Sequence, residues 1–194
     1  MTELIRHDAD PDKVALILPG GGYTPARPLL HFARAVLLRR EWTVVELWWD
    51  PPAGVRPSAM PPWPDAAEKI GWVAGEAEAA LATVDAERVL LVGKSLGTLA
   101  AGVAAERGLP AFWLTPILGE PLIAEALGNA SAPTHLVGGT GDAAWLPEIA
   151  HRHPYTEIAD ADHGLETDGD PVNSAAILGQ VTATLDRFVA TLPR

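Results

Sequence analysis

Five residues, Gly93-Lys94-Ser95-Leu96-Gly97, join a short apolar run to a segment with helical spacing. The run before them, Arg88 to Val92 (R-V-L-L-V), has the length and β-branched content of a buried strand. Beyond Leu96 the apolar residues Leu99, Ala100, Val103 and Ala104 recur at helical intervals, and Gly108 followed by Pro110 marks a stop. A serine in so sharp a strand–turn–helix connection is held in a strained backbone conformation. Small residues two before and two after it are required, because a Cβ there would collide with the neighbouring strand and helix. The turn lifts the hydroxyl out of the sheet toward the start of a helix, where backbone N–H groups can bind an anion. This is the pattern of a nucleophile elbow. The same letters, Gly-Lys-Ser, also end a phosphate-binding loop. That loop needs a glycine five positions before the Gly-Lys pair, where Arg88 stands, and residues 88–92 are too bulky to cradle phosphates.

Short apolar runs alternate with helical patterns along the whole chain, which predicts a mostly parallel sheet of about six strands covered by helices on both faces. The strand candidates are Val14 to Leu18, Val44 to Leu47, Val89 to Val92, Ala111 to Leu114, Thr134 to Val137 and Tyr155 to Ile158; Thr2 to Arg6 is a further edge-strand candidate. A helix from Pro28 is expected to place Leu29, Phe32, Val36 and Leu37 on one face. A second, from Asp65 with Glu68 as capping-box partner, is expected to bury Ile70, Val73, Ala77 and Leu81, with Gly71 and Gly75 packed closely on the sheet. A short helix is read from Glu120 to Leu127. The last opens with Asp170 as N-cap and Pro171 at its first position, then carries Val181, Leu185, Phe188 and Leu192. No repeat or domain-splitting linker interrupts residues 1–194, which read as one domain. The proline-rich stretch Trp48 to Pro64 reads as an ordered apolar loop near a site or as a stiff connection whose tryptophans fill the core.

Composition removes several classes of function. A net charge of −11 argues against nucleic-acid and anionic-membrane partners, both of which are polyanions. No cysteine is present, so disulfides, thiol catalysis and thiolate metal sites are excluded. The N-terminal residues lack a basic flank followed by an apolar run, and no apolar stretch approaches the roughly 20 residues of a membrane span. A cytoplasmic location is the expectation. His151 and His153 with the acidic run Asp160 to Asp170 raise a metal site only if further ligands converge, and a solvated acidic loop is the plainer reading. No metal or cofactor is expected.

A serine hydroxyl needs a base to take its proton and an acid to orient that base. In a parallel α/β sheet these partners are expected on loops after later strands, in the order serine, acid, histidine. After the run Thr134 to Val137 comes Gly138-Gly139-Thr140-Gly141-Asp142, a glycine-rich turn presenting a carboxylate. After Tyr155 to Ile158 comes Ala159-Asp160-Ala161-Asp162-His163-Gly164, a turn presenting an imidazole. His135, inside a strand, reads as a core histidine.

Taken in this order, the three motifs resemble the α/β-hydrolase-fold serine hydrolases of the small type without a lid, such as dienelactone-hydrolase-like proteins and small bacterial esterases. The resemblance spans nearly the whole chain. It implies a single α/β-hydrolase domain in which Ser95 is the nucleophile, His163 the general base and Asp142 the orienting acid. Glu120 is the standby acid, since some members carry the carboxylate after the preceding strand. The resemblance also implies an oxyanion hole from the backbone N–H of Leu96 and of Gly21 or Gly22, in the run Leu18-Pro19-Gly20-Gly21-Gly22-Tyr23. A dinucleotide fingerprint in that run would need a glycine where Pro25 stands. Many relatives have histidine at the position of Pro19, a departure that leaves the backbone donors untouched.

The expected chemistry is hydrolysis of a small carboxylic ester or thioester through an acyl-enzyme, with a small molecule as the only partner. Only nineteen residues separate Leu114 from Thr134, too few for an inserted lid, so an open site is expected. Trp48, Trp49, Trp63 and above all Trp145 are candidates for an apolar acyl wall, and Tyr23 for a ligand contact. Acyl transfer to another acceptor uses the same triad, and a hydrolase fold without activity is the non-enzymatic alternative. Dehalogenase and epoxide-hydrolase chemistry on this fold needs an aspartate where Ser95 stands.

Overall fold

Residues 14–18, Val-Ala-Leu-Ile-Leu, are wholly buried and apolar on both sides, the signature of a central strand in a sheet covered on two faces. In the computed structural model, which describes residues 2–56 and 60–193, they form the inner part of β2 (Asp10–Leu18). The remaining strands are β1 (Glu3–His7), β3 (Trp42–Trp48), β4 (Arg88–Lys94), β5 (Ala111–Leu114), β6 (Thr134–Gly139) and β7 (Tyr155–Ile158). They lie in the order β1-β3-β2-β4-β5-β6-β7. Every neighbour pairing is parallel except that of β1 with β3, so the edge-strand candidate at the N-terminus brings the sheet to seven strands. Part of the Trp48–Pro64 stretch, residues 57–59, lies outside the described residues, as do positions 1 and 194.

The alternation of side chains along each strand divides the core into two layers. Val14, Leu16, Leu18, Leu91 and Trp113 face one way. They meet α2 (Ala66–Leu81), α3 (Ala101–Arg107) and α4 (Pro121–Gly128), with the short α5 (Pro147–Ala150) at the margin. Ala15, Ile17, Leu90, Val92 and Phe112 face the other way, against α1 (Pro28–Arg39) and α6 (Pro171–Thr191). His135 stacks on Phe112 with ring centroids 5.5 Å apart, and its Nε2 lies 2.9 Å from the Thr156 hydroxyl, a satisfied histidine inside the fold. Burial holds its pKa below the ordinary imidazole value. No helix among the described residues is long and apolar enough to cross a membrane.

The helices differ from expectation in three places. On α1 the core is reached by Ala33, while Phe32 is turned outward and 43% exposed, because the small residue follows the buried stripe through Leu29, Leu30, Val36 and Leu37. On α2 the core face runs through Val73, Ala77 and Ala80, which places Gly71 and Gly75 on the opposite, exposed face, with open space where a Cβ would stand. They serve no close packing. The capping box of Asp65 and Glu68 does not form either. The Asp65 carboxylate instead accepts from Lys69 Nζ at 2.7 Å, one turn further along.

The α6 cap forms as its sequence suggests: the Asp170 carboxylate accepts from the Asn173 backbone N–H at 2.9 Å, with Pro171 in the first turn. Replacing Asp170 by alanine is expected to destabilise the protein by about 1 kcal/mol. A lower urea midpoint at unchanged m-value checks this, and an unchanged midpoint would show that α6 is held by its packing alone.

Candidate active site

The chain passes from β2 to β3 on one side and later to β4 on the other, so the direction of winding reverses between β2 and β4. Such a reversal opens a crevice at the carboxyl ends of the two strands, where ligands bind in open α/β sheets. Register pairs Leu18 with Gly93, which sets the start of the glycine loop at residues 20–22 beside the Ser95 turn.

The turn is tight on every side. A Cβ on Gly97 would stand 2.2 Å from the Leu18 carbonyl oxygen, and one on Gly93 would stand 2.5 Å from the Trp113 ring. Ser95 itself has φ of 51°, a left-handed conformation that costs a non-glycine residue on the order of 1–3 kcal/mol. β4 continues through Lys94, two residues beyond the expected strand end. The chain then enters a 3₁₀ helix (Ser95–Ala100) before α3, which ends at Gly108 with φ of 62°. The tighter first turn is held by the Thr98 hydroxyl, which donates to the Ser95 carbonyl at 2.6 Å.

Two further loops are fastened to each other. Thr140 N–H donates to the Ile158 carbonyl and Gly141 N–H to the Ala161 carbonyl, while the Thr140 hydroxyl accepts from Asp160 N–H. Glycine is needed at 138 and 139, because a Cβ there would stand 1.9 Å from the Trp145 ring and 2.1 Å from the Ala161 carbonyl oxygen. This zipper sets Asp142, at the end of one loop, against His163 on the other. His163 Nδ1 lies 2.7 Å from Asp142 Oδ2, and His163 Nε2 lies 2.7 Å from Ser95 Oγ. An ionised carboxylate can only accept, so the ring proton belongs on Nδ1, and Nε2 then faces the serine hydroxyl as an acceptor. The other Asp142 oxygen accepts from Ala144 N–H at 2.9 Å, which leaves the buried carboxylate fully engaged.

Lys94, next to Ser95, is turned into the fold. It is 3% exposed; Nζ donates to the His163 backbone carbonyl at 2.9 Å and lies 4.9 Å from the centroid of the Tyr23 ring. Burial pulls its pKa down from 10.5 to about 8, against the opposing pull of the Asp142 and Asp162 carboxylates. A lysine just after the apolar run Val89 to Val92, between Gly93 and Ser95, was the available sequence signal.

A cavity of about 300 Å³ opens directly on Ser95 and His163. Its walls are Met60, Pro61, Trp63, Ile117, Ala143 and Ala144. Of the four tryptophans considered, Trp63 alone borders it among the described residues. Trp145 does not: its ring lies under Gly138 and its Nε1 donates to Glu157 at 2.7 Å, drawn there by the missing Cβ and the carboxylate. Trp49 is buried against Trp72 and donates to the Gly20 carbonyl at 3.3 Å, while Trp48 donates to Glu46 at 3.1 Å. Both border a smaller hollow of about 150 Å³ along the glycine loop, which also includes Gly21, Gly22 and Tyr23. The Tyr23 hydroxyl accepts from Leu29 N–H at 2.9 Å, and burial raises its pKa, so this phenol caps α1. Glu120 is also placed otherwise than as a standby acid. It is 3% exposed and its carboxylate accepts from the Trp63 backbone N–H at 3.2 Å, so it holds a cavity wall and not the imidazole. A hollow of about 490 Å³ lies beside the His163 loop among Asp162, Glu166, Asp168 and Asp170, and does not include Ser95. His151 pairs with Glu157, and no group of three or more metal-ligating side chains converges among the described residues.

The buried lysine gives stability a specific pH dependence. Below pH 8 it is charged in the folded and unfolded chains alike, and the cost of burying the charge is present in full. Between pH 8 and 10.5 the unfolded chain keeps a proton that the folded chain has released, so this group makes stability rise with pH. The gain is on the order of 3 kcal/mol over that window. Wild type is therefore expected to gain on Lys94→Leu in urea midpoint between pH 8 and 10.5, and parallel pH curves for the two proteins would contradict the burial of this charge.

Neither a family model nor a curated protein sequence matches the chain. Solved structures do. A lid-less α/β serine hydrolase from Xanthomonas campestris superposes with a TM-score of 0.68 at 15% identity, over 100% of this chain and 90% of that one. A dienelactone hydrolase from Anabaena variabilis gives 0.69 at 18%, over 100% and 93%. An α/β serine hydrolase homologue from Coxiella burnetii gives 0.68 at 13%, over 96% and 90%. The chain has the α/β-hydrolase fold in its lid-less form.

Proposed function

We propose that the protein is a serine hydrolase that cleaves small, uncharged carboxylic esters or thioesters through an acyl-enzyme. The observation that carries this reading is the line Asp142–His163–Ser95, with both contacts at 2.7 Å, at the mouth of an apolar cavity. In the first step Ser95 Oγ attacks the carbonyl carbon while His163 Nε2 takes the hydroxyl proton. The resulting imidazolium is stabilised across Nδ1–H by Asp142. The oxyanion is received by the Leu96 N–H, in the first turn of the 3₁₀ helix where backbone donors lack helical partners, and by Gly21 or Gly22 from the adjoining loop. His163 returns the proton to the leaving alcohol or thiol, which departs as the carbon–oxygen or carbon–sulfur bond breaks. Water, deprotonated by the same nitrogen, then attacks the acyl-serine and releases the acid. Every step uses groups of the chain and water.

The cavity narrows the substrate. Among the described residues its walls offer no lysine or arginine, so an acyl group with its own carboxylate would be buried without a partner. About 300 Å³ accommodates a short chain or a single ring. Between β5 and β6 the chain contributes only α4 and its connections, so the alcohol side of the ester stays outside and weakly selected.

A fluorophosphonate probe is expected to label wild type and not Ser95→Ala, and wild type is expected to turn over p-nitrophenyl butyrate. Failure of both in folded wild type would leave a binding protein on a hydrolase fold. His163→Ala and Asp142→Asn are each expected to lower kcat by at least ~10³-fold without loss of the folded state. Trp63→Ala should shift the optimum toward longer acyl chains in a p-nitrophenyl ester series, and an unchanged chain-length profile would place the acyl group elsewhere.

A further inference from the structure

Three segments converge on the Lys94 side chain. Its own strand, β4, leads directly into Ser95. The glycine loop presents the Tyr23 ring face 4.9 Å from Nζ, and a Cβ on Gly20 would lie 3.5 Å from Lys94 Cδ. The loop after β7 presents the His163 carbonyl at 2.9 Å. Lys13 and Lys69 pair with aspartates, whereas no carboxylate lies within ion-pair distance of Lys94 among the described residues. An unpaired buried ammonium is costly, and an apolar side chain at the end of a central strand would carry no such cost. What the cation can do here that a hydrocarbon cannot is donate to a main-chain carbonyl, that of His163.

The His163 ring needs outside support. Its side chain is 42% exposed, so packing constrains it weakly. The Asp142 contact fixes one nitrogen but leaves the ring free to swing about that bond, and a swing of about 1 Å at Nε2 breaks the contact with Ser95. The loop's own bonds, from Gly164 N–H and Glu166 N–H to the Asp162 carboxylate, order the turn internally without tying it to the strand that bears the serine. Lys94 provides that tie.

We propose that Lys94 is a positioning residue: its ammonium anchors the His163 backbone to the strand that carries Ser95, so that Nε2 stays on the hydroxyl, and its stem holds the glycine loop against the same strand. The inference rests on the serine-hydrolase reading. The charged and titratable groups around the ammonium are Asp142 and Asp162 from the two loops, the Tyr23 phenol and the His163 imidazole.

The test compares Lys94→Met and Lys94→Gln with wild type. Lys94→Met is expected to stay folded and to lose about 10- to 100-fold in kcat for p-nitrophenyl butyrate with little change in KM, the size expected for a small misplacement of a reacting group. Fluorophosphonate labelling should slow by the same factor. Lys94→Gln, which keeps an N–H donor, should recover part of both rates. Wild-type labelling and kcat in Lys94→Met would overturn the inference and leave the serine-hydrolase reading standing; a wild type that is itself unlabelled removes the ground of both. If the variants do not fold, side-chain ¹⁵N spectra of wild type decide. A Lys94 ammonium signal protected from solvent exchange and shifted by the Ser95 phosphonate adduct supports the anchor, and a rapidly exchanging signal indifferent to the adduct overturns it.

Discussion

The approach of Gly97 to the end of β2 is the contact on which the rest of the site depends. With 2.2 Å between the Leu18 carbonyl oxygen and the place of a Cβ, no other residue lets the turn after β4 sit down against its neighbour strand. That seating forces Ser95 to φ of 51° and brings the glycine loop alongside it. The Ser95 hydroxyl and the glycine loop are thus brought together by a single piece of packing. The strain in the turn is sustained by the surrounding apolar layers, in which Leu18, Leu91, Leu96 and Leu99 are inaccessible to solvent.

Around this seat the site is built from short polar ties across neighbouring loops. The loops after β6 and β7 are stitched by backbone bonds and by the missing side chains at 138 and 139, and they hand Asp142 and His163 to each other. Lys94 and Glu120 extend the scheme: one reaches the His163 backbone, the other the Trp63 backbone. Both are ionisable side chains, almost wholly buried, and directed at a main-chain group. A charged group in that position contributes direction more than net stability.

Much of this was legible in the chain. Ser95, Asp142 and His163 each stand in a short turn after an apolar run, and strand runs such as Ala111–Leu114 and Tyr155–Ile158 carry their own bounds in β-branched and aromatic residues. The cap at Asp170 was legible because it is a local interaction over three residues. The failures share a cause. Asp65 met Lys69, four residues on, instead of a capping partner, and Trp145 was claimed by Gly138 and Glu157. Gly71 and Gly75 turned outward because the α2 stripe passes through Val73 and Ala77. In each case a competing partner, one helical turn away for Asp65 and on another segment for Trp145, or the angular phase of a helix on the sheet, outweighed the expected pattern.

The sequence by itself determined the elements, their order, and the three turns that bear hydroxyl, carboxylate and imidazole, because those depend on local spacing and on the steric need for glycine. Only the tertiary structure decided which tryptophan borders the cavity, that Glu120 serves Trp63 and not His163, and that Lys94 turns inward to the His163 carbonyl. Those assignments depend on where loops far apart in the chain meet at the carboxyl edge of the sheet. The hydrogen-bond partner of a buried charge is set by that meeting, and no local run of residues encodes it.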